Sequence, residues 1–169
     1  MYTQNLSRFY RGGSKALILN LENFKTLNKT KKEKIRLFRN HPNTKKYLYN
    51  QHFISKKEHF NFIQKSKKNS KKNYFCLSLN HMILGSINLD KLDSFGFYSN
   101  PFSHLSGLGR ILEQSSIYLA CNFLRIKVLK LEIFQENLQV INLHKKFGFT
   151  IVKEAIKHDK KIFIMQLVF

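Results

Sequence analysis

The chain predicts an α/β fold, a mixed sheet with helices on both faces, on three observations. Short apolar runs bounded by turn residues alternate with amphipathic segments of helical period. Two of those segments open on a capping-box pattern. The 169 residues, 43% hydrophobic and including 16 Phe, are enough for one full core. The expected order is β-α-α-β-β-β-α-β-α-β-β.

Residues 1–15 read as a weakly specified extension, since Arg8, Arg11, Gly12 and Gly13 are poor core material. A single domain is expected over residues 16–169. Residues 16–21 alternate as a first strand. Thr30-x-x-Glu33 is a capping box followed by Ile35, Leu37 and Phe38, so a helix runs to about Arg39, and His41-Pro42 ends it. Ser55-x-x-Glu58 opens a second helix carrying His59, Phe60, Phe62 and Ile63. Residues 74–79 and 82–89 flank the turn Asn80-His81 and form a hairpin. Residues 94–98 are the next strand. After a turn at Asn100-Pro101 and a polar loop comes Gly107-x-Gly109. A helix then sets Leu108, Ile111, Leu112, Ser115 and Leu119 on one face, with no breaker before Asn122. Residues 128–134 form a strand, 138–146 a short helix, and 150–156 and 161–169 a hairpin around His158-Asp159. There is no internal repeat and no low-complexity linker.

The net charge is +20, from 30 Lys+Arg against 10 Asp+Glu. The lysines gather in residues 29–34 and 65–72 with few aromatics between them, which disfavours base stacking and leaves a solvated helix face and a loop. Such a field also favours an anionic substrate or cofactor. Cys76 and Cys121 lie in apolar surroundings without CxxC spacing and read as buried free thiols. The seven histidines show no ligand spacing with carboxylates or thiols, so no metal is expected. With no apolar run of spanning length and no leader pattern, a cytoplasmic protein without membrane partners is expected.

The strand, glycine loop and helix N-terminus at residues 100–112 carry the chemistry. N–H groups at such a junction have no intrahelical partner, and the helix dipole adds to their pull on an anion. Glycines admit a bulky polyphosphate. Neither the dinucleotide fingerprint nor the Walker loop fits.

The element order, the loop His104-Leu105-Ser106-Gly107-Leu108-Gly109, and Asn137 leading to Lys146-Phe147-Gly148-Phe149 resemble the GNAT superfamily of acetyl-CoA-dependent N-acetyltransferases. His104 stands where that family's loop has Gln or Arg. The resemblance covers residues 16–169 and implies the GNAT fold, with a mostly antiparallel central sheet. Four further segments are similar to the bacterial amino-sugar acetyltransferases of pseudaminic acid biosynthesis: Phe38-Arg39-Asn40-His41-Pro42-Asn43, Phe53-Ile54-Ser55 with Glu58-His59-Phe60, Gly85-Ser86-Ile87, and Tyr98-Ser99-Asn100-Pro101-Phe102. That resemblance implies acetylation of the 4-amino group of UDP-4-amino-4,6-dideoxy-N-acetyl-β-L-altrosamine for flagellin glycosylation, and a homodimer.

The roles it implies are these. The N–H groups of Leu108, Gly109 and Arg110, with Gly107, His104 and Asn137, hold acetyl-CoA. The strand at Phe97 and Tyr98 pairs with its pantetheine arm. Glu132 is the base, its side chain leaving the face opposite its apolar neighbours, and Ser86 binds substrate or a water. Family members carry a Tyr acid seven residues after the Asn137 position, where this chain has His144. An imidazolium of reference pKa ~6.5 gives its proton to a thiolate of ~8.5 more readily than a phenol of ~10 does. Arg39 and His59 face the substrate diphosphate, with Asn40, Tyr49 and Tyr98 as further contacts. At the start of the fourth strand the chain has Ser94 where the sugar enzymes often carry Tyr. Two other readings remain open: a GNAT acting on a protein N-terminus or small amine, which the shortage of acidic residues disfavours for polyamines, and a non-catalytic basic module binding nucleic acid.

Overall fold

A computed structural model of the chain describes residues 2–3, 19–68, 72–90 and 94–169. Its strands and helices are β1 (Tyr2–Thr3), β2 (Leu19–Asn23), α1 (Lys29–Asn40), α2 (Pro42–Lys45), α3 (Lys56–Lys68), β3 (Lys72–Leu79), β4 (Met82–Asp90), β5 (Phe95–Ser99), α4 (Leu108–Tyr118), β6 (Val128–Phe134), α5 (Leu138–Lys146), β7 (Thr150–Lys157) and β8 (Lys160–Val168). Residues 16–18 of the expected first strand lie outside the described residues. So does most of the expected extension, of which Tyr2 and Thr3 pair with Leu21 and Asn20 of β2.

The strands form two antiparallel sheets, ordered β1-β2-β3-β4-β5 and β6-β8-β7. They meet where Ser94 bridges Lys130 in parallel. Beyond that bridge no ladder joins β5 to β6, so β5 presents an unpaired edge on its side away from β4, and this edge lines the candidate cleft. The register of β4 explains which residues face each layer. Leu77 pairs with Gly85 and Ser78 with Ile83, so Leu84 is an extra, bulged residue. The bulge reverses the alternation. Ile83 therefore joins Phe24, Leu27, Ile35, Phe38, Ile63 and Cys76 under α1 and α3, while Leu84, Ile87 and Leu89 join the larger core under α4 and α5 with Leu112, Leu129, Ile141 and Met165.

Local chemistry accounts for most element ends. Ser55 and Glu58 form the expected reciprocal capping box: the Ser55 N–H donates to Glu58 Oε2 at 2.7 Å, and the Glu58 N–H to Ser55 Oγ at 3.2 Å. The first box does not form. Asn28 caps α1, accepting from the Lys31 N–H at 2.8 Å, and Glu33 turns instead to the Arg36 guanidinium at 2.7 Å. An Asn side chain at Ncap satisfies an orphan donor at least as well as Thr does, and it stands two residues earlier. His41 ends α1 in an extended conformation, and Pro42 opens α2. Asn80, His158 and Asp159 take positive φ in the two hairpin turns. After Tyr118 the fourth helix widens into a π turn, Leu119–Phe123, with the Leu124 N–H on the Leu119 carbonyl.

Cys76 is buried and burial pushes its thiol up to about 12, while Cys121 is only half-buried, which corrects the expectation of two buried thiols. No helix among the described residues is long and apolar enough to cross a membrane.

Candidate active site

The cleft is built from unpaired backbone at its walls. At the two ends of the β4–β5 ladder, Asp90 N–H donates to Ser94 O and Asn100 N–H to Leu84 O, both at 2.7 Å. Antiparallel alternation then turns the polar groups of Gly96 and Tyr98 towards β4 and those of Phe97 and Ser99 towards the gap. The open edge beside Tyr98 is thus formed by its two neighbours.

At the mouth of the gap stands the N-terminus of α4. Gly107 is its Ncap at φ 76°, a left-handed conformation that a side chain strains. No side chain caps this helix and no carboxylate lies in its first turn. The first intrahelical bond runs from the Ile111 N–H to the Gly107 carbonyl, which leaves the N–H groups of Leu108, Gly109 and Arg110 directed outwards. Arg110 and His104 are both exposed beside them. A methyl group on Gly109 would come within 3.1 Å of Leu143 on α5, so this glycine also lets the two helices approach.

Asn137 starts α5 with its carbonyl, which accepts from Val140 and Ile141, while its side chain makes no capping bond. The far end of α5 explains the Lys146-Phe147-Gly148-Phe149 motif. The Phe149 N–H reaches the His144 carbonyl at 3.1 Å and the Gly148 N–H reaches the Lys145 carbonyl at 3.0 Å, with Gly148 at φ 90°. This is a Schellman ending, and it seats the His144 ring against Phe149 at 5.4 Å between centroids. The ring also meets Phe97 of β5 at 6.0 Å, below the open edge. His144 is buried, and its Nδ1 faces Glu113 of α4, 3.0 Å from Oε1. Sequence reasoning passed over Glu113. The available signal was its isolation, since no other carboxylate occurs between Asp93 and Glu132.

Glu132 leaves the opposite face of β6 from Leu131 and Ile133, as the alternation requires. Its carboxylate takes Lys157 Nζ of β7 at 2.6 Å and the Tyr49 hydroxyl at 2.6 Å. Burial alone would raise this carboxyl. The bonds from Lys157 and Tyr49 outweigh it and hold Glu132 below the ordinary carboxylate range. Burial pushes the Tyr49 phenol upwards, and its bond to Glu132 adds to that. Ser86 pairs with Tyr98 across β4 and β5, so the two side chains share a face of the sheet, and burial pushes the Tyr98 phenol well above its usual range. Arg39 faces Tyr98; burial lowers its guanidinium, one nitrogen of which bonds the Asn50 carbonyl while Nη1 is buried without a partner.

The structure therefore brings Tyr49 to Glu132, Ser86 and Arg39 to Tyr98, and His144 to Phe97. Two expected substrate contacts are placed otherwise. Both polar atoms of the Asn40 amide are taken up by the Ile54 backbone, at 2.8 and 2.9 Å, which pins the loop after α2 to α1. His59 is 5% exposed and set against α1 among Lys32, Glu33 and Arg36, where burial lowers it, and its Nε2 is buried without a partner. Among the described residues no cluster of His, Cys, Asp and Glu has metal-binding geometry.

The chain is 31% identical over 141 residues to Acetyltransferase PseH of Campylobacter jejuni strain 81-176, a match covering 81% of this chain and 88% of that protein. It belongs to the GNAT family of N-acetyltransferases. PseH of a second C. jejuni strain matches this GNAT chain at 30% identity over the same length. The crystal structure of C. jejuni N-acetyltransferase PseH in complex with acetyl coenzyme A superposes on it with a TM-score of 0.71 at 28% identity, covering 89% of this chain and 98% of that one. A spermidine N-acetyltransferase from Vibrio cholerae, solved with CoA and spermine, has a TM-score of 0.78 at 16% identity over 89% of this chain and 95% of that one, and so shares the GNAT fold. No protein-family model matches the chain.

Proposed function

We propose that this N-acetyltransferase moves the acetyl group of acetyl-CoA to the 4-amino group of UDP-4-amino-4,6-dideoxy-N-acetyl-β-L-altrosamine, the pseudaminic acid step that serves flagellin glycosylation. The observation that carries the reading is the match to PseH over 88% of its length, on a fold whose cleft has an uncapped helix N-terminus at its mouth. Residues 16–169 act as one catalytic domain, in the cytoplasm and as a homodimer.

The pyrophosphate of acetyl-CoA takes the N–H groups of Leu108, Gly109 and Arg110, and the Arg110 guanidinium adds a charge-assisted contact. Its pantetheine arm lies along the open edge of β5 and pairs with the backbone of Phe97 and Ser99 in place of a missing strand. The substrate amine approaches from the Arg39–Tyr98 side, where the unpartnered Nη1 suits a phosphate or sugar oxygen. As the amine attacks the thioester carbon, its acidified proton passes to Glu132, which is ionised throughout the neutral range. The carbon–sulfur bond breaks, its electron pair stays on sulfur, and His144 protonates the thiolate.

Two measurements test this. Acetyl-CoA at one hundred times its Kd stabilises a binder by about 2.7 kcal/mol, a rise of roughly 5–10 °C in Tm for a chain of this size. A basic nucleic-acid module would give no rise. Acetylation of the UDP-4-amino sugar is then compared with an N-terminal peptide and with spermidine. A higher kcat/KM for either of the latter overturns the sugar assignment and leaves the acetyltransferase standing.

A further inference from the structure

One buried charge-bearing contact is unused by the chemistry above. Glu113 is completely buried in α4, a helix whose other buried residues are apolar or small. Its partner among the described residues is His144, 31 positions later on α5. Both carboxylate oxygens lie beside the same nitrogen: Oε1 is hydrogen-bonded to Nδ1 at 3.0 Å, and Oε2 stands 2.9 Å from it with no hydrogen bond of its own. Phe95, Phe97 and Phe149 pack against the ring at 5.9, 6.0 and 5.4 Å between centroids, and Nε2 is not among the buried polar atoms left without a partner. A carboxylate is costly to bury unless it is paired and hydrogen-bonded, so its place in a dry core needs a reason beyond packing. An ionised Glu113 can only accept, and the nitrogen it faces then carries the hydrogen.

We infer that Glu113 is a positioning residue for the proton-donating step. It holds His144 as the Nδ1–H form and fixes the ring plane, so that Nε2 is the nitrogen that exchanges a proton at the cleft. This rests on the reading of His144 as the acid. At the start of the step both ring nitrogens carry hydrogen. The new nitrogen–carbon bond forms, the thioester carbon–sulfur bond breaks, and the sulfur keeps the electron pair and takes the proton from Nε2. His144 is left neutral with Nδ1–H still on Glu113, and Nε2 regains its proton from solvent after CoA leaves. A carboxylate behind a proton-transferring imidazole works in this way because the wrong tautomer presents a donor where a lone pair is needed, or the reverse.

The test has a spectroscopic arm and a kinetic arm. In protein labelled with 15N histidine, the neutral His144 ring is expected to show a protonated Nδ1 and a bare Nε2, and Glu113→Gln is expected to mix or reverse that pattern. With acetyl-CoA and the UDP-4-amino sugar, Glu113→Gln is expected to lower kcat about 10–100-fold, with KM for acetyl-CoA changed less than about two-fold. The same substitution placed on His144→Ala is expected to cost nothing further. A wild-type ring protonated at Nε2 alone overturns the inference, and this needs no variant, so it decides the matter even if Glu113→Gln does not fold. If His144→Ala loses kcat while Glu113→Gln keeps it, the positioning role fails and the acid assignment survives. If His144→Ala keeps kcat, the acid assignment fails and the inference falls with it.

Discussion

Gly85→Ala is expected to loosen the joint between β4 and β5 on which the cleft depends. Gly85 pairs with Ser99 next to the β4 bulge. A Cβ there would lie 2.4 Å from the Tyr98 carbonyl oxygen, 3.1 Å from Leu112 Cδ1 and 3.1 Å from the Ser99 Cα. Comfortable contacts begin near 3.5 Å, so β5 must move by about 1 Å. The main obstacle is backbone held in a ladder and cannot rotate away. Overpacking of this kind costs about 1–3 kcal/mol, and the backbone obstacle places Gly85→Ala near the upper end. The lower chain entropy of Ala returns roughly 0.5–1 kcal/mol. A net loss of about 2 kcal/mol lowers Tm by roughly 4–8 °C in a domain of this length. Thermal unfolding measures it, and titration of acetyl-CoA reads the accompanying displacement of Phe97 and Ser99 as weaker binding. Gly96→Ala is the comparison, since its Cβ meets only the Asn88 amide, 3.2 Å away and free to turn. A Gly85→Ala melting point within about 1 °C of wild type, or an equal loss in Gly96→Ala, would refute the reasoning.

Lys157→Met removes the first of the two hydrogen bonds that depress Glu132, so the carboxyl rises and the acid limb of the pH–rate profile moves to higher pH. The sign follows from the depressed value: the stability it contributes is full above the unfolded carboxylate range and is lost as pH falls through the lower folded pKa, so the variant loses less on acidification. An acid limb that stays in place counts against Glu132 as the base. Ser55→Ala breaks the one capping box that forms and is expected to cost about 1 kcal/mol in denaturant unfolding, whereas Thr30→Ala, whose box is absent, is expected to cost less than about 0.5 kcal/mol. Arg39→Met takes away the buried, unpartnered Nη1 and is expected to raise KM for the acceptor while KM for acetyl-CoA holds. Equal rises in both would place Arg39 outside the acceptor site.

What the sequence alone determined is everything that acts over a few residues. Hydrophobic period located α4, α5 and β3 to β8 to within a residue or two, and the Ser55-x-x-Glu58 box located the start of α3. Turn chemistry located Asn80-His81 and His158-Asp159, and the Gly107-x-Gly109 junction was legible because a left-handed Ncap and an unpartnered first turn are local properties. At the start of α1 the capping-box pattern pointed to Thr30, and the helix is capped by Asn28 instead. Only the tertiary structure decided which distant groups meet. Tyr49 and Glu132 are 83 positions apart and Glu113 and His144 are 31 apart, and nothing in local spacing encodes either pair. It also decided that Asn40 is spent on the Ile54 backbone, since a polar residue on a helix face reads the same whether it points at a ligand or at a neighbouring backbone. The cleft belongs to the same class. It exists because β5 and β6 pair at one bridge and then separate, and the unpaired edge that results depends on the packing of the two sheets and on no residue within β5 itself.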